Sequence, residues 1–591
     1  MPTLFKSYTM MKINLQTFIK NLVLLIMVIM IFTECHNSKT KVNEMNPEQI
    51  LINQVGFVAN MPKTALSKIK TNKFFVIDTT GNQVYEGHPS GLKYWNCSGD
   101  SVCKLDFSSF KTNGIYHIKL NDTIISYPFV ISPTPYTELN KAAIKSYYLN
   151  RSGFEITKEF GGNWARLAGH PDTAVMIHES TADKKRPAGI IISSPGGWYD
   201  AGDYNKYIVN SSITTYTLLR ALEDNIEYYK NLNLNIPESD DDLPDLLNEI
   251  LFNLNWVITM QDPNDGGVYH KLTTKNFEGF VMPHEATAQR YVVQKTTAAT
   301  LDYAALLSYA ARVLELVAPI EYGTLIKSCQ KKSKYAWEWA LKHPDVVYQQ
   351  PKDIRTGTYG DPYLNDEWFW AASELFISTL DKNYLKILND KYRRFKVPTW
   401  DSVGILGTIS LLSASEIIKD YEDQVGLKTK KDDFFHIADS LLNSESNSAY
   451  QIGIKHFAWG SNSDVANDGF ISTVAYKLSG DIKYKNSALN DLDYLLGRNA
   501  TGYCFVTGYG FKSPMNIHHR PSGSDTVAAP YPGFLVGGPN LVVLTDCGDT
   551  SLRSSFPAKS YLDKQCSYST NEIAINWNAP LIYILSGVSA Q

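Results

Sequence analysis

At the proline-bearing joint "SPTPY" (132–136) the hydrophobic period of this chain changes, and no single architecture satisfies both sides of it. Upstream, "KFFVIDTTGNQVYEG" alternates and turns at Gly81-Asn82, and "GIYHIKLNDTIISYPFVI" reads as two strands around Asn121-Asp122. Short strands with closely spaced turns over residues 50–132 predict an immunoglobulin-like β-sandwich. Downstream the period is helical. "DDLPDLLNEILFNLNWVITMQDP" opens on an Asp cap with Pro244 in the first turn. It sets Leu243, Leu247, Ile250, Leu254 and Val257 on one face and stops at Pro263. "TTAATLDYAALLSYAARVLELV" is Ala-rich on its inner side, which permits close helix packing, and further helical runs include "DEWFWAASELFISTL", "SVGILGTISLLSASEIIKDY" and "NEIAINWNAPLIYILSGV". The intervening loops are long and rich in Gly, Pro, Tyr and Asn, where function usually resides. Antiparallel helix pairs with such loops fit an α/α toroid better than a bundle. A chain of 591 residues is long enough for both domains.

The N-terminus reads as a leader. Lys12 and Lys20 precede the apolar run "LVLLIMVIMIF", too short for a membrane span but suited to a secretory segment, and Cys35 follows in "FTEC". That order resembles a bacterial lipoprotein signal, with residues 1–34 removed, Cys35 lipidated, and 35–49 a polar linker. It places the protein at a bacterial cell envelope, periplasmic or on the outer surface, with a lipid anchor as its membrane contact. Net charge is −4 with no long basic block, which gives nothing for nucleic acid to bind. Export makes the remaining cysteines disulfide candidates. Cys97 and Cys103 flank a small loop, Cys547 and Cys566 bracket a stretch before the C-terminal segment, and Cys329 and Cys504 lack obvious mates. No C-x-x-C zinc spacing occurs.

Three loop clusters carry candidate chemistry. "SSPGGWYDAGDYNKYIVNSS" holds Asp200 and Asp203 in an aromatic turn; "FVTGYGFKSPMNIHHRPS" holds His518, His519 and Arg520; "CSYSTNEIAINWNAP" holds Glu572 at a helix start. Each has an ordinary account. D-A-G-D is common loop grammar, with Gly202 taking an unusual backbone angle and Asp203 capping a helix. The His-His-Arg run suits a hydrogen-bonded knot, and a first-turn Glu complements the helix macrodipole.

Together with "LPDLLNEILFNLNWVITMQDPNDGGVYHKLT", "LDYLLGRNATGYCFVTGYG" and "LVGGPN", these clusters resemble, in order, the signatures of family 9 glycoside hydrolases, mostly β-1,4-glucanases. "ILINQVGFVANMPKTA" resembles the immunoglobulin-like module that precedes many of them. The resemblance implies an (α/α)6 barrel over residues 137–591 with an open cleft, and inversion at the anomeric carbon. It makes Asp203 the general base, Asp200 the residue that helps hold the water, and Glu572 the general acid. Inverting carboxyls lie about 6.5–9.5 Å apart, so they must come from separate loops. Asp200 beside Asp203 disfavours ionising both, and Lys206 is the candidate to relieve that repulsion. His518, His519, Arg520, His270 and Tyr204 are expected substrate contacts, with Trp370 and Trp577 as sugar platforms. Trp577 stands where many relatives carry Tyr.

Some relatives carry a Cys/His zinc cluster before D-A-G-D. Here "LAGHPDTAVMIHES" keeps His170 and His178 but has no Cys, so that zinc is not expected. No cofactor is required, and calcium, frequent in the family, is left open. The leading reading is a monomeric endo-acting β-1,4-glucanase on cellulose-like, mixed-linkage or xyloglucan chains. The alternative is an exo-acting relative on cello-oligosaccharides or glucosamine oligomers, made by loops such as 271–295 closing one end of the cleft. A silent glycan-binding lipoprotein is the third reading, opposed by the presence of all three acids.

Overall fold

The computed structural model describes residues 46–121 and 123–589. The leader, Cys35 and most of the linker lie outside the described residues, as does Asp122 at the expected turn. Among the described residues, no helix is long and apolar enough to cross a membrane.

The N-terminal module is built from β1 (Ile50–Leu51), β2 (Gly56–Val58), β3 (Thr64–Ser67), β4 (Phe74–Asp78), β5 (Gln83–Gly87), β6 (Lys93–Trp95), β7 (Asp100–Asp106), β8 (Gly114–Leu120), β9 (Ile124–Ile125) and β10 (Phe129–Ser132). One sheet runs β1-β3-β7-β6 and the other β2-β10-β8-β4-β5, with β9 beside β8. Alternation along β8 buries Tyr116, Ile118 and Leu120, and Phe57 meets Phe107 and Phe129 edge-on between the sheets at 5.2 and 5.5 Å. The sandwich is the one the alternating pattern predicts. Cys97 and Cys103 are both free thiols, which corrects their reading as a disulfide candidate. Cys103 points into the sandwich core, while the Cys97 sulfur faces the Lys455 carbonyl of the other domain at 3.8 Å.

The second domain contains twelve helices of ten or more residues among the described residues. They are α1 (Thr137–Leu149), α2 (Ile208–Asp224), α3 (Asp245–Thr259), α4 (Thr297–Val317), α5 (Gly323–Lys342), α6 (Asn365–Thr379), α7 (Lys382–Lys391), α8 (Gly404–Ser413), α9 (Leu427–Asn447), α10 (Ser461–Ser479), α11 (Ile482–Leu495) and α12 (Ile575–Ser589). The even-numbered helices contact one another in the cycle α2-α4-α6-α8-α10-α12 and back to α2, and each odd-numbered helix lies against an even one. This is a closed α/α barrel. The inner helices are buried nearly all round, so they lack the one-sided stripe of a surface helix. The expected face of α3 is buried at Leu247, Ile250, Leu254 and Val257, but its N-terminus carries no Asp cap; Pro244 occupies the N-cap without a side-chain bond.

A five-stranded sheet covers part of the loop end of the barrel. It comprises β11 (Val175–Ile177), β12 (Ile191–Ile192), β13 (Lys206–Tyr207), β14 (Lys271–Thr273) and β15 (Tyr291–Val292), in the order β12-β11-β15-β14-β13. Its edge pair matters most for the site, because β13 follows D-A-G-D directly and sets Tyr207 opposite Lys271.

The two domains share a polar and aromatic seam. Asn53 donates to Asp493 at 2.8 Å, Tyr136 donates to the Gly56 carbonyl at 2.8 Å, and Trp95 packs on Tyr450 at 4.8 Å. Lys559 pairs with Asp100 at 2.6 Å, and the Ala558 N–H donates to the Cys97 carbonyl at 2.9 Å. Residues 558 and 559 belong to the loop closed by the disulfide between Cys547 and Cys566.

Candidate active site

The D-A-G-D turn is held from three directions. Before it, Gly196 and Gly197 take φ of 81° and 77°, left-handed values suited to glycine, and turn the chain so that Trp198 is buried. The Trp198 indole donates to Glu249 at 2.8 Å, and Glu249 is paired with buried Arg151 at 2.7 Å. On one side, Arg520 gives its backbone N–H (3.1 Å) and its guanidinium (2.7 Å) to the Gly202 carbonyl. On the other, the Ile575 N–H donates to the Asp200 carbonyl at 2.9 Å and the Gly202 N–H to Glu572 Oε1 at 3.3 Å.

Gly202 therefore lies between the loop of His518 and that of Glu572. Its φ is not in the left-handed region; instead a Cβ there would fall 2.2 Å from the His518 carbonyl oxygen and 3.0 Å from Glu572 Oε1. Glycine is required by close approach, not by an unusual backbone angle. Nor does Asp203 cap a helix, since α2 starts at Ile208 with no side-chain cap. Glu572 is likewise not in a helix. It is extended (φ −71°, ψ 158°) and forms a parallel bridge with His518, and α12 begins at Ile575. The macrodipole account of Glu572 is thereby excluded.

The three acids sit in different surroundings. Asp200 is buried and accepts from Asn210 at 2.8 Å and from the Tyr359 hydroxyl at 2.9 Å. Burial, and then the charge of Asp203, push its carboxyl up to about 8 despite these two donors. Asp203 Oδ2 accepts from the Asn205 backbone N–H at 3.2 Å, from the Asn205 amide, and from the Tyr207 hydroxyl at 3.4 Å. Among the described residues nothing donates to Oδ1, which is available to a water. Glu572 is half-buried; its dense surroundings, then the charges of Asp203 and Asp200, drive it well above the usual carboxylate range, with Arg520 opposing. Beside it, His518 Nδ1 lies 2.7 Å from the Gln565 carbonyl. A carbonyl only accepts, so Nδ1 carries the proton. Burial first of all holds the ring below its ordinary pKa, leaving Nε2 of the neutral ring as an acceptor.

Comparison with known proteins matches residues 136–585 to the model described as glycosyl hydrolase family 9 and residues 46–123 to the cellulase N-terminal ig-like domain. The chain belongs to glycosyl hydrolase family 9. This family 9 chain is 39% identical to the xyloglucan-specific endo-beta-1,4-glucanase BoGH9A of Bacteroides ovatus, covering 92% of this chain and 94% of that protein. It is 32% identical to endoglucanase D of Acetivibrio thermocellus, covering 94% of this chain and 86% of the other. The solved structure described as Bacteroides ovatus GH9 superposes with a TM-score of 0.84 at 38% identity, over 92% of this chain and 99% of that one.

Several residues expected to touch substrate in this family 9 enzyme are instead committed to the protein. His270 is buried and stacked on Tyr348, with Nδ1 on the Thr296 hydroxyl and Nε2 on the Thr358 carbonyl; burial pushes it down to about 3. His519 is buried between Ser522 and Asn150. The Tyr204 hydroxyl is taken by the Val281 carbonyl at 2.6 Å, and the Arg520 guanidinium by the carbonyls of Gly202 and Glu278. Trp370 is fully buried in α6, against Tyr216 and bonded to Glu374, so it is core and not a platform. Trp577 is half-buried against Gly460 and Gly537. Lys206 does not relieve the aspartates; it pairs with Asp172 at 2.7 Å.

The sequence reading missed Tyr359, Tyr207, Asn205 and Asn210, which hold the two aspartates. It also missed a set of rings around His518: Phe280 at 5.2 Å, Tyr568 at 5.9 Å, and Trp459, 47% exposed, at 5.2 Å from Tyr568. Tyr359 takes φ 45°, a strained value for a bulky residue, at the position that meets Asp200. In the chain-local pattern only Asn205, Tyr207 and Asn210 were traceable, because they follow D-A-G-D within two helical turns.

His170 and His178 do not come together. His170 meets Tyr199 and His178 meets Asp353, and neither falls within a potential metal cluster among the described residues. Two acidic sets do, Asp183 with Asp262 and Asp265, and a fully buried one in which one carboxylate oxygen each of Asp361, Asp366 and Glu367 lie within 4.8 Å of one another. Asp361 Oδ2 and Glu367 Oε2 have no hydrogen-bond partner, nor does either oxygen of nearby Asp302. Unpartnered buried carboxylates at the start of α6 fit a hard, oxygen-preferring cation such as calcium and do not fit zinc.

Gly202 gives a direct check on this geometry. Gly202→Ala should lower turnover of soluble β-glucan by about 100-fold, the scale expected when reacting groups are displaced by an ångström, while circular dichroism and the melting temperature show a folded protein. Unchanged turnover would mean that the two loops do not need this approach.

Proposed function

We propose that this family 9 enzyme is an inverting endo-β-1,4-glucanase acting on xyloglucan, with Asp203 as general base, Asp200 as its partner in holding water, and Glu572 as general acid. The observation that carries the reading is the junction at Gly202. A turn bearing two carboxylates and a separate strand bearing a third are joined there by the Gly202 N–H and Glu572 Oε1.

In this mechanism a water held by Asp203 Oδ1, the oxygen without a protein donor, attacks the anomeric carbon. Its proton passes to Asp203. Glu572, kept protonated by burial and by the two aspartates, gives its proton to the glycosidic oxygen as that bond breaks, and the product carries the α configuration. His518 Nε2 accepts from a sugar hydroxyl near the cleavage point, and Trp459, with Phe280 across His518, supplies apolar faces for the sugar rings. The preference for xyloglucan is supported by the similarity to BoGH9A, whose name states that specificity. The Lys12, Lys20 and Cys35 pattern supports lipid anchorage at a bacterial envelope, where such a polysaccharide would be met. Calcium at Asp361, Asp366 and Glu367 would fix the segment that runs from strained Tyr359 into α6.

Early products from xyloglucan should be α-anomers by proton NMR, and kcat/KM should exceed that on unbranched cello-oligosaccharide of equal backbone length. Initial β-anomer would refute inversion, and a preference for the unbranched chain would refute the substrate assignment. Glu572→Gln should lose about 10²–10⁴-fold on xyloglucan yet keep far more activity on a dinitrophenyl β-cellooligosaccharide, whose leaving group departs without a proton; equal losses would remove Glu572 as the acid. It should also flatten the alkaline limb of the pH profile, because the raised Glu572 carboxyl is the group that deprotonates there. Chelation should lower the melting temperature and added calcium restore it, and Glu367→Gln should abolish that response.

A further inference from the structure

Lys271 is buried with no exposed surface, yet among the described residues it has no carboxylate within ion-pair distance. Its ammonium donates to three neutral oxygens: Gln350 Oε1 at 3.1 Å, Thr356 Oγ1 at 3.1 Å and the Gly357 carbonyl at 2.6 Å. Two of these can only accept. The Gln350 amide nitrogen is taken up by the carbonyls of Ile354 and Thr356, which turns its oxygen toward Lys271. The rings of Tyr348 and Tyr207 lie 5.3 and 5.6 Å from the ammonium, faces that attract a cation.

From Lys271 a chain of donors runs to the base. Thr356 Oγ1 is 2.7 Å from Thr273 Oγ1, and the Thr273 hydroxyl lies 2.9 Å from both Asn205 Oδ1 and the Thr274 carbonyl, either of which can take its one proton. The Thr274 N–H also donates to Asn205 Oδ1, at 3.0 Å, which fixes that amide with its nitrogen toward Asp203. Asn205 then gives both its amide and its backbone N–H to Asp203 Oδ2. With Lys271 protonated, Thr356 cannot direct its own proton back at the ammonium; when it gives that proton to Thr273, and Thr273 turns to Asn205 in place of the Thr274 carbonyl, every donor in the series points toward Asp203. Such a series strengthens its last bond by mutual polarisation.

Resting on the assignment of Asp203 as the base, we propose that Lys271 is a positioning residue for it. Its charge, passed along Thr356, Thr273 and Asn205, strengthens the hydrogen bonds that Asn205 gives to Asp203 Oδ2. The groups that face Asp203 are Asp200 on its own turn, Tyr207 of β13, Lys271 of β14, His518 and Glu572. Lys271 is the cation of that group with no other anion to serve. Burial pushes it down to about 7 while the charge of Asp203 pushes back, so it is protonated throughout the acidic range in which a carboxylate base is lost.

The test is the pH dependence of kcat/KM on a soluble glucan for the full-length enzyme and the variants Asp203→Ala, Lys271→Met and Thr273→Val. Without the cation, or with the chain cut, the donors that hold the carboxylate form of the base weaken, and the acidic limb moves to higher pH. We expect an upward shift of about one unit in Lys271→Met, a tenfold loss on the acidic side, and a smaller shift of the same sign in Thr273→Val. Activity should recover above the limb. A packing role would instead lower kcat/KM by one factor at every pH. An unmoved limb in both variants, folded by circular dichroism, overturns the proposal, and Thr273→Val alone decides if Lys271→Met does not fold. Near-normal turnover by Asp203→Ala would overturn the base assignment itself, whereas an inactive Asp203→Ala with unmoved limbs overturns only the role of Lys271.

Discussion

Three carboxylates gathered in one partly dry space repel one another, and burial further disfavours Asp200 and Glu572 as anions. The architecture around them manages that conflict group by group. Asp200 is packed away under Asn210 and Tyr359 and pushed toward its neutral form. Asp203 receives donors on one oxygen only. Glu572 is driven toward the protonated state that proton donation requires, and the positive charge of Arg520 limits how far. Mutual repulsion thus becomes the means by which chemically similar groups acquire opposite tasks.

That arrangement needs backbone segments distant in sequence to stay in register. The inner barrel supplies the register, because α2 leaves the D-A-G-D turn and α12 leaves Glu572, and the two helices pack side by side. Tyr147 of α1 connects them, donating to the Ile575 carbonyl at 2.6 Å while its ring lies 4.5 Å from Trp198. Beneath Trp198, the buried pair of Arg151 and Glu249 has most of its polar atoms satisfied, so the charges fix orientation without being left bare. The strain at Tyr359 fits this picture, since a left-handed tyrosine persists only where its surroundings over-determine it.

The sequence showed the sandwich and several helices clearly, because one-sided burial leaves a periodic trace. It hid α2. The run "IVNSSITTYT" is rich in β-branched and hydroxyl residues that favour other conformations, and burial on every side removes any stripe. Thr214, Thr215 and Thr217 return their hydroxyls to carbonyls four residues earlier, which makes such a helix tolerable inside the ring. At the site, the three acids were legible as motifs. Their neighbours were not, because side-chain type does not reveal direction. His270, His519 and Tyr204 have the chemistry of sugar ligands, yet each spends its polar atoms inside the protein, and Arg520 gives Nε and Nη1 to backbone carbonyls. The expectation that Lys206 relieves the aspartates failed for the same reason. Lys206 is three residues from Asp203 but points to Asp172, whereas Lys271 arrives only through the pairing of β13 with β14.

The seam between the modules has an evolutionary consequence. Asp493 of the barrel is buried and takes a hydrogen bond from Asn53 of the sandwich, while the loop that leads to Glu572 leans on the turn around Cys97. A recombination event that separated the coding regions at the proline joint would expose that aspartate and strip one wall from the loop. A foreign sandwich could substitute only if it brought the equivalents of Asn53, Trp95 and Asp100 with it. The two modules therefore depend on each other structurally, and changes on either side of the seam are constrained by the other.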